Sequence, residues 1–312
     1  MKVLIVCSGH SGKISPFITE QVNSLIGLGV EADYFLVNQK GFTGYLKERK
    51  HLIGKIKSYQ PDLIHAHYGL SGLLANLQRS IPVVTTYHGS DINEPKVYPF
   101  SRLCMMLSKH NIFVSKKNLK KAGLKNGQSL IPCGVDINLF IPEDKTSARK
   151  ELGLDVTKKY VLFAGAFLNT VKNAILAQKA VALLKDVEIL ELSGYSRDQV
   201  VQLMNAVDVV LMTSFTEGSP QFIKEAMACN CPIVSVSVGD VPEVTEGIDG
   251  CYLSTYEPED VAEKIQQALT FGKRTGGRKR ILELHMDLES VGKRVLEVYK
   301  KEPQAPNLDK PE

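Results

Sequence analysis

An α/β protein built from two Rossmann-like domains is the fold the sequence predicts. Three observations carry that expectation. Short apolar runs alternate with helix-periodic stretches along most of the chain. The opening run, residues 2–7, leads through a glycine-bearing turn into a helix-periodic stretch at 16–28, the start of a Rossmann-like unit. After a polar segment at 142–150, the alternation begins afresh.

In the first half, strands are expected at 2–7, 34–37, 62–67, 82–87, 111–114 and 129–132. Between them the pattern predicts helices at 16–28, 43–59, 69–79, 95–110 and 116–124, the last capped by Ser115. The segment 142–150, with Pro, Asp and Lys, reads as a linker. The second half predicts strands at 160–164, 187–192, 207–212, 232–235 and 250–253. Helices are expected at 174–184, 197–206, from Pro220 to 228, and at 258–269. An amphipathic helix at 288–301 follows, and residues 302–312, with three prolines, read as a flexible tail.

Composition narrows the class. The chain has 312 residues, 44% of them hydrophobic and 23% charged, as in an ordinary globular protein. No apolar run is long enough to span a membrane, and the N-terminus lacks a signal-peptide pattern. The expected location is therefore cytoplasmic. Six cysteines, none in a Cys-x-x-Cys pair, read as reduced core residues. Net charge is +4 but unevenly spread, because residues 1–145 hold 18 Lys and Arg against 10 Asp and Glu. Such a half could attract an anionic membrane or a phosphate-bearing acceptor, or its lysines could simply be solvated helix faces. No nucleic-acid motif accompanies the lysines, so no nucleic-acid partner is expected.

One stretch organises the function, Thr213-Ser-Phe-Thr-Glu-Gly-Ser-Pro-Gln-Phe-Ile-Lys-Glu-Ala-Met-Ala228. Ser219 suits a helix cap and Pro220 its first position. The unpartnered N–H groups of that helix start, next to Gly218, suit an anion such as a diphosphate. Glu225, in the second turn, could accept two ribose hydroxyls, and Glu217 would face whatever the diphosphate carries.

The pair Glu217-x7-Glu225, with Gly-Ser-Pro between and Lys-Glu-Ala-Met-Ala after, resembles the donor-site signature of retaining glycosyltransferase family 4. That family has the GT-B fold, two facing Rossmann-like domains with parallel sheets and an interdomain cleft. The resemblance implies an acceptor-side domain at 1–140, completed by a C-terminal helix at about 286–301, and a donor-binding domain at 141–285. His88-Gly-Ser-Asp91 is similar to the family's acceptor-side loop, in which a histidine contacts the transferred sugar. The alternative for His88 is a turn residue bonded to the backbone. Gly12 is carried over from the first loop, which approaches the donor diphosphate. Cys133-Gly-Val-Asp resembles the segment closing the first domain, with Cys133 where Asn usually stands.

Lys172 matches a family cation that neutralises the leaving diphosphate, and it could otherwise be a surface lysine. The usual Arg position holds Ala166, so Lys13 or Lys224 is a candidate replacement. Tyr195 either stacks on the nucleotide base or is a turn aromatic. The family usually carries an additional strand–helix unit between 187–192 and 197–206, which this chain lacks. His65 and His67, at i and i+2 on one strand, are weaker site candidates, and a zinc site there has no supporting carboxylate.

The implied reaction moves a sugar from a UDP- or GDP-sugar to a glycan or lipid-linked acceptor, retaining configuration, in surface polysaccharide or glycolipid synthesis. With no Asp-x-Asp in the chain, neither metal nor further cofactor is expected. His88 and Glu217 are the expected catalytic groups. Two other readings stand beside this one, a sugar-nucleotide 2-epimerase and a non-catalytic sugar-nucleotide binder.

Overall fold

Residues 2–8 form strand β1 (Lys2–Ser8), whose central side chains are buried on both faces. An apolar run without alternation is what a central parallel strand requires, since helices cover both sides of the sheet. The structure, a computed structural model, describes residues 1–9 and 12–302. Beyond Glu302, the expected tail lies outside these residues. The chain divides into two compact units, Met1–Gly134 with the stretch from Leu288 onward, and Val135–Asp287.

The first unit is a six-stranded parallel sheet in the order β2-β1-β3-β4-β5-β6. The further strands are β2 (Glu31–Val37), β3 (Leu63–His67), β4 (Val83–Tyr87), β5 (His110–Phe113) and β6 (Gln128–Leu130). Period-two alternation sends Val3, Ile5 and Cys7 to one face and Leu4 and Val6 to the other. Against the first face lie helices Pro16–Gly27 and Leu288–Lys301. The C-terminal helix buries Val291, Val295, Val298 and Tyr299 at helical spacing, roughly 1.5–3 kcal/mol for each aliphatic side chain. Gly292 lets the two helices approach, because a Cβ there would lie 2.5 Å from Ser24 Oγ. Ser24 Oγ in turn donates to the Leu288 carbonyl at 2.9 Å.

The second unit is a five-stranded parallel sheet in the order β11-β10-β9-β7-β8. Its strands are β7 (Lys159–Phe163), β8 (Val187–Glu191), β9 (Val209–Met212), β10 (Ile233–Val236) and β11 (Cys251–Ser254). Val161, Phe163, Val209 and Leu211 pack against helices Ala174–Val181 and Pro258–Phe271. Tyr160, Leu162, Val210 and Met212 face helices Arg197–Ala206 and Gln221–Ala228. In each sheet the chain leaves one strand toward one side and returns to start the other side, between β1 and β3 and between β7 and β9. The carboxyl ends at such a reversal are where open α/β sheets bind ligands.

Four expectations change. The stretch 142–150 is not an extended linker, because it holds helix Lys145–Leu152, capped by Asp144 and ended by Gly153 at φ 68°. Its buried Arg149 reaches the Ala206, Val156 and Lys158 carbonyls and pairs with Asp208 at 2.7 Å. Two of these partners, Ala206 and Asp208, are distant in sequence, so the segment's polarity disguised its burial. The expected helix 95–110 is shorter at both ends, Tyr98–Leu107, with a separate helical turn at Ser90–Asn93 before it and Ser108 extended before β5. The basic helix 43–59 likewise breaks at Glu48 into Gly41–Lys47 and Arg49–Tyr59. Residues 135–140 pack with the second unit, six residues before the boundary expected after 140. None of the six cysteines, all among the described residues, is in a disulfide.

Candidate functional site

At the reversal point of the second sheet, the loops after β7 and β9 are stitched together. Thr213 Oγ1 donates to the carbonyls of Lys172 and Asn173, each at 3.0 Å. Phe215 N donates to the Val171 carbonyl at 3.0 Å. The short 3-10 turn Thr170–Lys172 is capped by Asn169. This frame brings Lys172 Nζ to 2.7 Å from Glu217 Oε1, with both side chains mostly shielded. A charge-assisted bond of this kind is stronger than a neutral one and fixes both groups. The Lys172 side chain crosses Gly165, where a Cβ would meet Lys172 Cγ at 3.3 Å and where φ is 149°. Only glycine adopts that backbone readily.

The helix expected from Pro220 is present, but its start differs. Pro220 is itself the cap residue, and the helix runs Gln221–Ala228 without a side-chain cap. Ser219 does not cap it, because Ser219 Oγ donates to Asp240 Oδ2 at 2.6 Å and receives the Lys224 ammonium. Lys224 is fully buried and pairs with Asp240 at 3.2 Å. Its charge is thus held inside the unit, which removes Lys224 as the replacement for the absent arginine at Ala166. Gly239, at φ 60°, brings this loop against Gly218, where a Cβ would lie 2.7 Å from the Gly218 carbonyl. The first N–H groups of a helix such as Gln221–Ala228 have no intrahelical acceptor, and Pro220, the cap residue, offers no side-chain acceptor to them. The dipole there favours an anion.

Glu225 lies in the second turn and is buried. Its Oε1 accepts from Arg197 at 2.7 Å. Burial pushes its carboxyl upward while Arg197 opposes that shift. Arg197 went unnoticed in the sequence. It opens helix Arg197–Ala206, stacks its guanidinium 4.8 Å from the Phe140 ring, and stands 28 residues from its partner. Tyr195 sits in the turn before that helix, 41% exposed.

The corresponding edge of the first sheet carries a different chemistry. His67, at the end of β3, and His88, just past β4, approach with Nδ1 of His67 at 3.0 Å from Nε2 of His88. Phe17 and Tyr68 flank the His88 ring at 4.9 and 4.7 Å, and Cys133 Sγ lies 3.8 Å from its Nδ1. Tyr68 holds φ at 73°, a strained value for a bulky residue. His88 N and Gly89 N donate to Asp91 Oδ1, and Gly69 N donates to Oδ2. The backbone role of this turn thus belongs to Asp91, while the His88 imidazole faces other rings. Burial pushes the Asp91 carboxyl up to about 6, against those three N–H groups. Burial drives His67 down to about 3, and burial followed by His67 depresses His88. His65 is committed on both nitrogens, to Tyr299 Oη at 2.6 Å and Thr86 Oγ1 at 2.7 Å. Gly12, at φ 70°, is exposed in the loop after β1, where its N donates to the Gly9 carbonyl.

Two family profiles match the chain. Residues 2–139 match Glycosyltransferase Family 4, and residues 172–270 match Glycosyl transferases group 1. The chain belongs to the family 4, group 1 glycosyltransferases, and its fold is GT-B. A D-inositol 3-phosphate glycosyltransferase of Mycolicibacterium vanbaalenii is 25% identical over 280 residues, covering 70% of this chain and 62% of that protein. The chain therefore spans about three fifths of the length of the curated relatives it matches. Sucrose-phosphate synthase from Thermosynechococcus elongatus superposes with a TM-score of 0.83 at 18% identity, covering 96% of this chain and 98% of that one. HepE from Anabaena, solved with UDP-glucose, gives a TM-score of 0.74 at 18% identity, covering 97% and 100%. Among the described residues, no helix is long and apolar enough to cross a membrane.

Proposed function

We propose that this chain transfers a sugar from a nucleoside diphosphate to an acceptor hydroxyl, retaining the anomeric configuration and needing no metal. The observation carrying the reading is the Lys172–Glu217 pair on the loops that lead into the start of helix Gln221–Ala228. A departing diphosphate gains negative charge, and an ammonium and a ring of N–H groups fixed in advance stabilise it without reorganisation. Lys172 then addresses the phosphate, and Glu217 holds hydroxyls of the sugar as positive charge grows at its anomeric carbon. Gly218, Ser219 and Pro220 shape the backbone that receives the phosphates, and Gly12 does so from the first loop. Glu225, with Oε1 on Arg197, offers Oε2 to the ribose, and Tyr195 stacks on the base. His88 contacts the transferred sugar.

A UDP-linked donor is supported by HepE, whose structures hold UDP and UDP-glucose. We place the acceptor among glycans or lipid-linked glycans of a surface polysaccharide or glycolipid route. The exposed Lys116, Lys117, Lys120 and Lys121 on one short helix support contact with an anionic membrane face from the cytoplasmic side.

The test incubates the purified chain with a panel of UDP- and GDP-sugars in EDTA, with and without glycan and lipid-linked acceptors. Acceptor-stimulated nucleotide release with an axial or equatorial product matching the donor supports the reading. An epimerised donor, or tight donor binding without turnover under every acceptor, overturns it. Co-sedimentation with vesicles of anionic lipid reads the membrane contact separately.

A further inference from the structure

The pair His67–His88 poses a question of proton placement that its surroundings answer. His67 is fully buried, and its Nδ1 lies 3.0 Å from His88 Nε2. The other nitrogen of His67, Nε2, is buried and makes no hydrogen bond among the described residues. The neighbouring His65 cannot supply one, because Tyr299 and Thr86 occupy both its nitrogens. Burial holds both members of the pair in the neutral form. Each ring therefore carries one N–H, and one proton lies between Nδ1 of His67 and Nε2 of His88.

Two arrangements satisfy that shared bond. In one, His88 donates from Nε2, and His67 must then carry its own proton on Nε2, where it has no acceptor. In the other, His67 donates from Nδ1 and leaves only a lone pair at the buried Nε2. A buried N–H without an acceptor is the rarer of these defects in folded proteins. The second arrangement puts the His88 proton on Nδ1, the nitrogen that faces Cys133 Sγ at 3.8 Å. A sulfur is a weak acceptor, and a ligand oxygen displaces it readily.

We propose that His67 is a positioning residue that locks His88 in the Nδ1–H tautomer, so that His88 presents a hydrogen-bond donor to an oxygen of the transferred sugar. His88 then acts as a fixed donor and not as a base. The flanking Phe17 and Tyr68 rings keep its plane in place. The step involves no bond making at His88, since the proton stays on Nδ1 throughout. This inference rests on the reading of His88 as a sugar contact, but its structural half is measured without any substrate.

The experiment records long-range proton–nitrogen correlation spectra of the full chain labelled at histidine, with the His88 signals assigned from their loss in His88→Gln. The wild type is expected to show His88 protonated at Nδ1. His67→Phe removes the donor and should shift His88 toward the Nε2–H form. His67→Gln keeps an amide donor and should hold the wild-type tautomer. With the donor found active in the panel, His67→Phe should lower kcat about tenfold with little change in donor KM, and His67→Gln should recover most of it. An Nε2–H tautomer in the wild type, or an unmoved tautomer in a folded His67→Phe, overturns the proposal. If His67→Phe fails to fold, the wild-type spectrum alone still decides. Should the tautomer be as expected while His88→Gln turns over normally, the sugar-contact role falls and the tautomer assignment stands.

Discussion

The carboxyl edges of the two sheets repeat one topology with opposite chemistry. In the first unit the reversal between β1 and β3 is furnished with imidazoles and aromatic rings, and burial keeps His67 and His88 neutral. In the second, the reversal between β7 and β9 is furnished with fixed charges, Lys172–Glu217, Arg197–Glu225 and Lys224–Asp240. Desolvation explains the contrast. A buried imidazole sheds its charge easily because its ordinary pKa is near neutrality, whereas a buried lysine or glutamate is held charged by a partner. Neutral donors suit the hydroxyls of a sugar, and paired charges suit a diphosphate that changes charge during transfer.

That comparison breaks most sharply at the charged edge. Glu217→Gln and Lys172→Ala should each lower kcat/KM by about 10³-fold, as loss of one fixed electrostatic group does. Steady-state kinetics check this, and a change confined to KM would move the pair out of the reaction and into plain binding. Next in size is stability. Asp240→Ala strands the Lys224 ammonium in the core, and denaturant unfolding should show a loss of about 3–5 kcal/mol. Replacing both partners with apolar residues should restore most of it, since the penalty belongs to the unpaired charge.

Glu225→Ala removes a charged acceptor, and calorimetry should show nucleotide affinity weakened about ten- to a hundredfold. Unchanged affinity for both UDP and GDP would end the ribose assignment. The smallest effect lies in the first unit and depends on pH. His67, held at about 3 when folded against about 6.5 when unfolded, contributes stability that is complete above pH 6.5 and lost as pH falls toward 3. By pH 5 that loss is on the order of 2 kcal/mol from His67 alone. Asp91, raised to about 6, works in the other direction, because protonation favours the folded state as pH falls through 6. His65 and His88 are depressed like His67, so the histidines outweigh the one carboxyl. The protection of the β3 and β4 amides against hydrogen exchange, corrected for the intrinsic exchange rate at each pH, should therefore fall between pH 7 and pH 5, and His67→Phe should flatten that slope.

Much of the architecture was legible where physics is local. Helix Lys116–Ala122 with its Ser115 cap, the amphipathic helix Leu288–Lys301, and the strand preceding Glu217 all follow from spacing and capping chemistry. The same local logic failed at 142–150 and at Ser219. In both places a polar side chain that reads as solvent-exposed or as a cap is instead drawn to distant partners, Arg149 to Asp208 and Ser219 to Asp240.

Taken alone, the sequence determined the alternation of elements, the parallel sheets it implies, and the residue types at the start of Gln221–Ala228. Those depend on periodicity, backbone geometry and the unpaired groups of a helix terminus, which act over a few residues. Only the tertiary structure decided that Lys172 meets Glu217, that Arg197 holds Glu225, that Lys224 is spent inside the unit, and that His67 faces His88. Each of those partnerships joins residues on separate elements. It is set by which strand ends lie side by side and by how far water is excluded between them, and neither is written in local spacing.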